Sequence, residues 1–279
     1  MRCQIRRDRV SIVPEDDGFK LPEVGPWAKR KYHFLGRYLS AFTVAMREKW
    51  PQIHYIDLFA GAGFARIKGS NEVVLASPFL AASTRHPFTM MHFCDADQSN
   101  IAALQHRMRT HCPNRPHTIV HGDANDVIHR VLANVPQRGS LSVTFADPFG
   151  LHLDFDTVRA LAGRRSDLIV LLADNMDALR NWQTYYVQNP HSSLDRFMGE
   201  PGWRETLQST PTSRQAQVLR ERYEAQLKSV GFKHVEHEPV QNASGRDIYK
   251  LLFASADEAG VKIWRGVSRK DEGGQNKLF

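Results

Sequence analysis

Apolar residues along this chain gather into short runs that end in acids and alternate with segments of helical period. Residues 1–26 mix charges with Pro14, Pro22, Gly25 and Pro26 and hold no period, which predicts a basic, irregular N-terminal arm. Beyond it, Trp27, Phe34, Leu35, Tyr38, Leu39 and Phe42 recur near helical spacing until Pro51 stops the run, so an amphipathic helix is predicted. IHYIDLFAGAG (53–63) reads as a strand entering a tight glycine turn, with a helix expected next. MMHFCDAD (90–97), HTIVHGD (117–123), LSVTFADP (141–148) and DLIVLLAD (167–174) repeat the theme, and helical segments follow the first three.

That alternation predicts a parallel sheet covered by helices on both faces. Residues 175–215 break it with Asn, Gln, Ser, Pro and Trp around two short helical stretches, LDRFMG and WRETL, and read as a helical insert or cap. A helix over 215–230 resumes the body, and KHVEHEPV (233–240) with DIYKLLFAS (247–255) forms a closing strand pair. The predicted class is α/β, a doubly wound and mostly parallel Rossmann-like sheet that ends in an antiparallel strand pair and carries a small helical insertion. Residues 1–26 would be the arm, 27–174 and 216–260 the α/β body, 175–215 the insert and 261–279 a basic tail.

Composition narrows the setting. A chain of 279 residues, 42% of them hydrophobic, can bury a large core without a disulfide or a metal. Cys3, Cys94 and Cys112 match neither a disulfide framework nor a C-x-x-C site, which suits a reducing, cytoplasmic compartment. The dense stretch His106, His111, Cys112, His117 and His121 does not put three ligands on one face, so no metal site is expected. No apolar run is long enough to cross a bilayer, and the charged start MRCQIRRDRV lacks the apolar stretch of an export signal. The net charge of +7 sits at the ends, in residues 1–50 and 260–279, around a body close to neutral. Such termini suit a polyanion such as nucleic acid, and equally plain solubility.

The candidate chemistry lies where the strands end. Ligands of doubly wound sheets bind outside the carboxyl ends of the strands, and Asp57, Asp95, Asp123 and Asp147 close successive runs there. Gly61 and Gly63 allow backbone to lie against a ligand, in the same loop as Asp57 and Phe59. Asp95 can accept from both hydroxyls of a ribose, with Asp97 its competitor, and Asp123 can face an adenine amino group. Each acid alone is more often a solvated loop acid or a helix cap. The series and the closing hairpin together resemble class I S-adenosylmethionine (SAM) methyltransferases. ADPFG (146–150) resembles their [DNS]-P-P-[YFW] loop with the second proline missing. Asp147 would accept from a target amine, Phe149 would stack on the base that carries it, and Pro148 stands between. The cysteine that C5-cytosine methylation needs after that proline is absent, and Phe64-Ala65-Arg66 after Gly63 break the G-x-G-x-x-G of dinucleotide oxidoreductases.

Over nearly the whole chain, VGPWAKRKYHFLGRYLSAF, YIDLFAGAG with ASPFLAA, FADPFGL, LDRFMGEPGW, YKLLFASADEAGVKIWRGV and GGQNKLF occur in an order that resembles the three-Cys-motif partner (TcmP) family. The resemblance implies a SAM-methyltransferase-like fold and a separate three-cysteine protein as partner. It places Trp27 and Lys31 in the family's opening motif, Asp57 and Gly61 in its glycine loop, and Asp147, Pro148 and Gly150 in its fourth-strand loop. Lys29 and Arg30 read as solvated.

The expected function is a SAM-dependent methyltransferase acting on an amine of a nucleic-acid base or on a substrate presented by a partner. SAM would be held by Asp57, Phe59, Gly61, Gly63, Asp95 and Asp123. The insert, through Trp182, Tyr185 and Tyr186, would cover the acceptor. The alternative is a methyltransferase-like binding module that serves as obligate partner of the three-cysteine protein with little or no catalysis.

Overall fold

The computed structural model describes residues 12–148, 150–172, 186, 188, 189, 191–241, 245 and 247–269. Ten strands and nine helices are defined among these residues. The strands are β1 (Glu23–Val24), β2 (Gln52–Asp57), β3 (Phe64–Ile67), β4 (Val73–Leu75), β5 (Met90–Asp95), β6 (His117–His121), β7 (Ser140–Ala146), β8 (Ser166–Leu172), β9 (His234–Gln241) and β10 (Asp247–Ser255). The helices are α1 (Ala28–Met46), α2 (Ser77–Ala82), α3 (Gln98–His111), α4 (Ala124–Leu132), α5 (Phe155–Ala162), α6 (Ser193–Met198), α7 (Trp203–Gln208), α8 (Thr212–Ser229) and α9 (Glu258–Ser268).

Seven strands form the main sheet in the order β6-β5-β2-β7-β8-β10-β9. The first five run parallel, and β10 lies antiparallel between β8 and β9. This is the order of the class I SAM-methyltransferase fold, as the alternation and the closing hairpin predicted. The inner strands are nearly continuous apolar runs because helices cover both of their faces. One face packs side chains of α1, α2, α3 and α9 around Phe42, Phe79, Phe93 and Phe253. The other packs α4 to α8 around Phe155, Phe197, Trp203 and Tyr223.

Local chemistry explains where the helices start. Asp97 caps α3 by accepting from the Ser99 and Asn100 amides (2.8 and 3.3 Å), Asp123 caps α4 through the Asn125 amide (2.8 Å), and Asp257 caps α9 through Ala259 (2.7 Å). Along α1, Phe34, Leu35, Tyr38, Leu39, Phe42 and Met46 form the buried stripe. At roughly 1.5–3 kcal/mol for each large apolar side chain, this face alone contributes on the order of 10 kcal/mol before chain entropy is counted.

Four segments depart from expectation. After the glycine turn the chain forms the hairpin β3–β4 before α2 begins, and β3 also pairs with β1 to give a three-stranded side sheet. The expected helix is thus displaced, because Phe64, Ala65 and Ile67 bury best as an extended pair. Part of the expected arm is ordered: β1 joins that side sheet, and Asp17 forms a bidentate pair with the fully buried Arg107 (2.8 and 2.6 Å). The described part of 175–215 belongs to the core, since Leu194, Phe197, Trp203 and Leu207 are buried against α5 and α8; Trp182 and Tyr185 lie outside the described residues. The tail expected from residue 261 begins inside α9, whose Trp264 stacks on Phe253 (centroids 4.8 Å apart) and packs on α1.

Candidate functional site

β2 is the first strand of the main sheet in chain order. β5 and β6 are laid down on one side of it, and β7, β8 and the closing pair on the other, so the carboxyl ends of β2 and β7 flank the topological switch point where doubly wound sheets bind ligands. Asp57 closes β2 and Asp95 closes β5, while Asp123 lies two residues past β6 and Asp147 one residue past β7.

The glycine loop and Asp95 form one surface. Gly61 adopts φ +61°, a side chain there would project into open space, and its amide donates to Asp95 Oδ2 at 2.7 Å. Asp95 Oδ1 accepts from Asn100 Nδ2 (3.0 Å) and from the Asp97 amide (2.9 Å). A carboxylate offers about four acceptor positions, so half-buried Asp95 keeps capacity for a ligand hydroxyl. Gly63 has a different task. A Cβ at Gly63 would come within 2.6 Å of the Phe79 ring, so close packing, and not contact with a ligand, requires glycine there. Phe59 is partly buried against the α4–α8 core. Behind the loop, Arg107 Nη1 donates to the Ala62 carbonyl (2.7 Å) and to the Lys20 carbonyl (3.1 Å), which ties the N-terminal segment to the glycine turn.

The competing acid is spent elsewhere. Asp97 caps α3 and pairs with Lys20, and the Lys20 and Ser99 hydrogen bonds hold its carboxyl well below the usual range. Asp123 stays exposed at the crevice edge while it caps α4. Asn125, which drew no attention in the sequence, links that edge to the loop after β7. Its Nδ2 donates to the His152 carbonyl (2.9 Å), and its Oδ1 accepts from the Asp154 amide (2.9 Å) and the Thr157 hydroxyl (2.8 Å).

Asp57 does not stand where it was expected. It is fully buried beneath the loop, so its carboxylate does not itself face a ligand in this conformation. Oδ2 accepts from the Tyr55 hydroxyl (3.0 Å), whereas Oδ1 makes no hydrogen bond of standard geometry among the described residues. Burial pushes the carboxyl up to about 7; the Ser77 and Tyr55 hydroxyls oppose that rise, and the charge of Asp147 adds to it.

Asp147 is partly exposed, Pro148 is buried, and Phe149 lies outside the described residues. Asp147 Oδ2 accepts from the Lys31 ammonium, contributed by the first turn of α1. Lys31 is buried and sits 4.8 Å from the Tyr32 ring centroid. Burial works against its charge, but the neighbouring Asp147 outweighs this and holds the ammonium above its ordinary range. Tyr249, within electrostatic reach of both, buries its hydroxyl with no partner among the described residues. Tyr249 was not anticipated, and Lys31 entered only through the family resemblance. Its signal was its phase: Lys31 falls on the Leu35–Tyr38–Phe42 stripe, unlike Lys29 and Arg30.

The two cysteines among the described residues are not reactive thiols. Burial pushes the Cys94 thiol up to about 12 and the Cys112 thiol up to about 11, so neither is a nucleophile near neutral pH.

No family model matches the sequence, and no curated protein matches it. Its fold is similar to that of protein LPL1258 from Legionella pneumophila str. Philadelphia 1, with a TM-score of 0.50, 10% identity, and coverage of 83% of this chain and 89% of that one. Two further similar structures are the METTL16 MTase domain (TM-score 0.49, 12% identity, 87% and 75% coverage) and Trm1 from Pyrococcus horikoshii in complex with S-adenosyl-L-methionine (0.46, 10%, 90% and 61%). Identities this low speak for the fold alone.

Proposed function

We propose that this chain is a class I SAM-dependent methyltransferase of the three-Cys-motif partner group, acting on an amine of a nucleic-acid base or of a substrate presented by its partner. The observation that carries the reading is the bond from the Gly61 amide to Asp95 at the switch point, which makes the glycine turn and a strand-end acid into one wall. The residues present fit SAM: open space over Gly61, spare acceptor capacity on Asp95 for a ribose hydroxyl, and exposed Asp123 beside the loop that Asn125 secures.

Bound SAM would supply an electrophilic methyl, its C–S bond breaking as the bond to the acceptor nitrogen forms. The chain's own task is then alignment and exclusion of water. Asp95 and the Gly61 loop hold the nucleoside. Asp147 accepts from the acceptor amine and turns its lone pair, and the proton that the nitrogen sheds leaves to solvent along the exposed edge of Asp147.

A second reading, a methyltransferase-like module serving the three-cysteine partner without catalysis, draws on the pairing of Asp147 with Lys31, which occupies one carboxylate oxygen. Calorimetric titration with SAM tests the first. Binding is expected, and Asp95→Ala should weaken it at least tenfold; absence of binding at millimolar SAM would overturn the enzyme reading. Activity of the native system that survives Asp147→Ala would favour the module.

A further inference from the structure

The crevice between β2 and β7 holds unspent hydrogen-bonding capacity of both kinds. Among the described residues, Lys31 donates to Asp147 alone, which leaves further ammonium protons without acceptors. Among the same residues, Asp147 accepts only through Oδ2, and the buried Tyr249 hydroxyl has no partner. Buried polar groups are rarely left unpaired, so the Tyr249 hydroxyl, together with the spare ammonium protons of Lys31 and the second oxygen of partly exposed Asp147, marks a place where a polar ligand completes the bonding.

We infer that Lys31 and Asp147 act as a donor–acceptor pair that reads an amino-heteroaromatic base whose amine lies beside a ring acceptor on its open edge, as in adenine and cytosine. Asp147 Oδ1 takes the amine N–H, and Lys31 donates to the adjacent ring nitrogen. Guanine presents N1–H at that place, which would set a donor against the ammonium, and its other acceptor beside the amine, N3, lies next to the sugar. A base lacking the amine would leave Asp147 Oδ1 without a donor. A ring donor set against the buried Lys31 ammonium discriminates because it strands a buried charge. Lys31 is thus a specificity-determining residue, and Asp147 contributes to recognition as well as to alignment. This rests on the methyltransferase reading above.

The test uses the full chain saturated with S-adenosylhomocysteine, which blocks the cofactor's own adenosine site, and titrates adenosine, cytidine, guanosine and inosine by ligand-observed NMR. Adenosine or cytidine should bind at least tenfold more tightly than guanosine and inosine. Lys31→Met should abolish that preference and leave S-adenosylhomocysteine affinity within twofold, a pattern that mere unfolding cannot give. Lys31→Arg, which keeps the charge and donors, should retain part of the preference and guards against a Met variant that fails to fold. Equal affinity for all four nucleosides, no nucleoside binding to the saturated protein, or a preference that survives in Lys31→Met would overturn the inference. Failure of S-adenosylhomocysteine itself to bind is a separate result, which removes the methyltransferase reading and this inference with it.

Discussion

Asp57 and His92 are both buried, and they answer pH in opposite directions. Asp57 is raised from 3.8 to about 7, so its contribution to stability is fully present below pH 3.8 and is lost as pH rises through 7. Asp57→Asn removes this dependence. Its stability relative to wild type should therefore grow by about 2 to 3 kcal/mol between pH 5 and pH 8, read by urea unfolding at the two pH values. His92 is lowered from 6.5 to about 4 by burial and by the neighbouring His54. Its contribution is present above pH 6.5 and is lost as pH falls toward 4, on the order of 3 kcal/mol. His92 bridges His54 (3.1 Å) and the Thr118 hydroxyl (2.9 Å), so His92→Gln should flatten this acid-side loss while lowering stability at neutral pH. Unfolding followed from pH 7 to pH 4.5 distinguishes the two effects. Neither trend was legible in the sequence, where Asp57 looked like a strand-end acid open to a ligand.

Among the elements, α3 does more than cover the sheet. Its Arg107 is fully buried and binds Asp17, the Lys20 carbonyl and the Ala62 carbonyl at once, with its guanidinium 4.8 Å from the Phe64 ring centroid. Removing one partner of such a pair leaves a charge or a carbonyl unanswered, at a typical cost of 3–5 kcal/mol. Arg107→Met should therefore destabilise the protein by about 3 kcal/mol in chemical denaturation and also weaken SAM binding, because the glycine turn loses its support. Asp17→Asn should cost less, since the two carbonyl contacts remain. The run LDRFMGEPGW, part of the family resemblance, finds a structural explanation at this scale. Asp195 accepts from the Ser192 and Trp203 side chains and from Arg204 Nη2 (2.8, 2.9 and 2.6 Å), a knot that locks α6 to α7 and does not reach the crevice.

Across the whole molecule, the tertiary structure reduces the charge available to a polyanion. Lys20, Lys29, Arg30, Lys31 and Arg47 each face an acid, as does Arg265 on α9. Most of these pairs are exposed and contribute little to stability, yet they remove unopposed positive charge from the N-terminal region. Four arginines, Arg2, Arg6, Arg7 and Arg9, precede the described residues. If single-stranded DNA is bound, deleting residues 1–11 should lower affinity and flatten its salt dependence, measured by fluorescence anisotropy between 50 and 200 mM salt. An unchanged salt slope would place the phosphate contacts elsewhere.

Local sequence signals are enough for the α/β class, the strands of the main sheet, the closing hairpin, and the nomination of Asp57, Asp95, Asp123, Asp147 and the glycine loop as site candidates. These are written in local signals, namely apolar runs, acids at strand ends and glycines at a turn, and each works within a few residues of itself. Tertiary structure alone decided that Asp57 lies under the crevice, that Lys31 meets Asp147 from 116 positions away, that Arg107 reaches Asp17 across 90, and that α9 closes the α1 face. Those outcomes depend on which distant groups share a desolvated space. Periodicity marks which face of an element is buried, but which distant groups meet there is a property of the assembled fold, and no local pattern of residues encodes it.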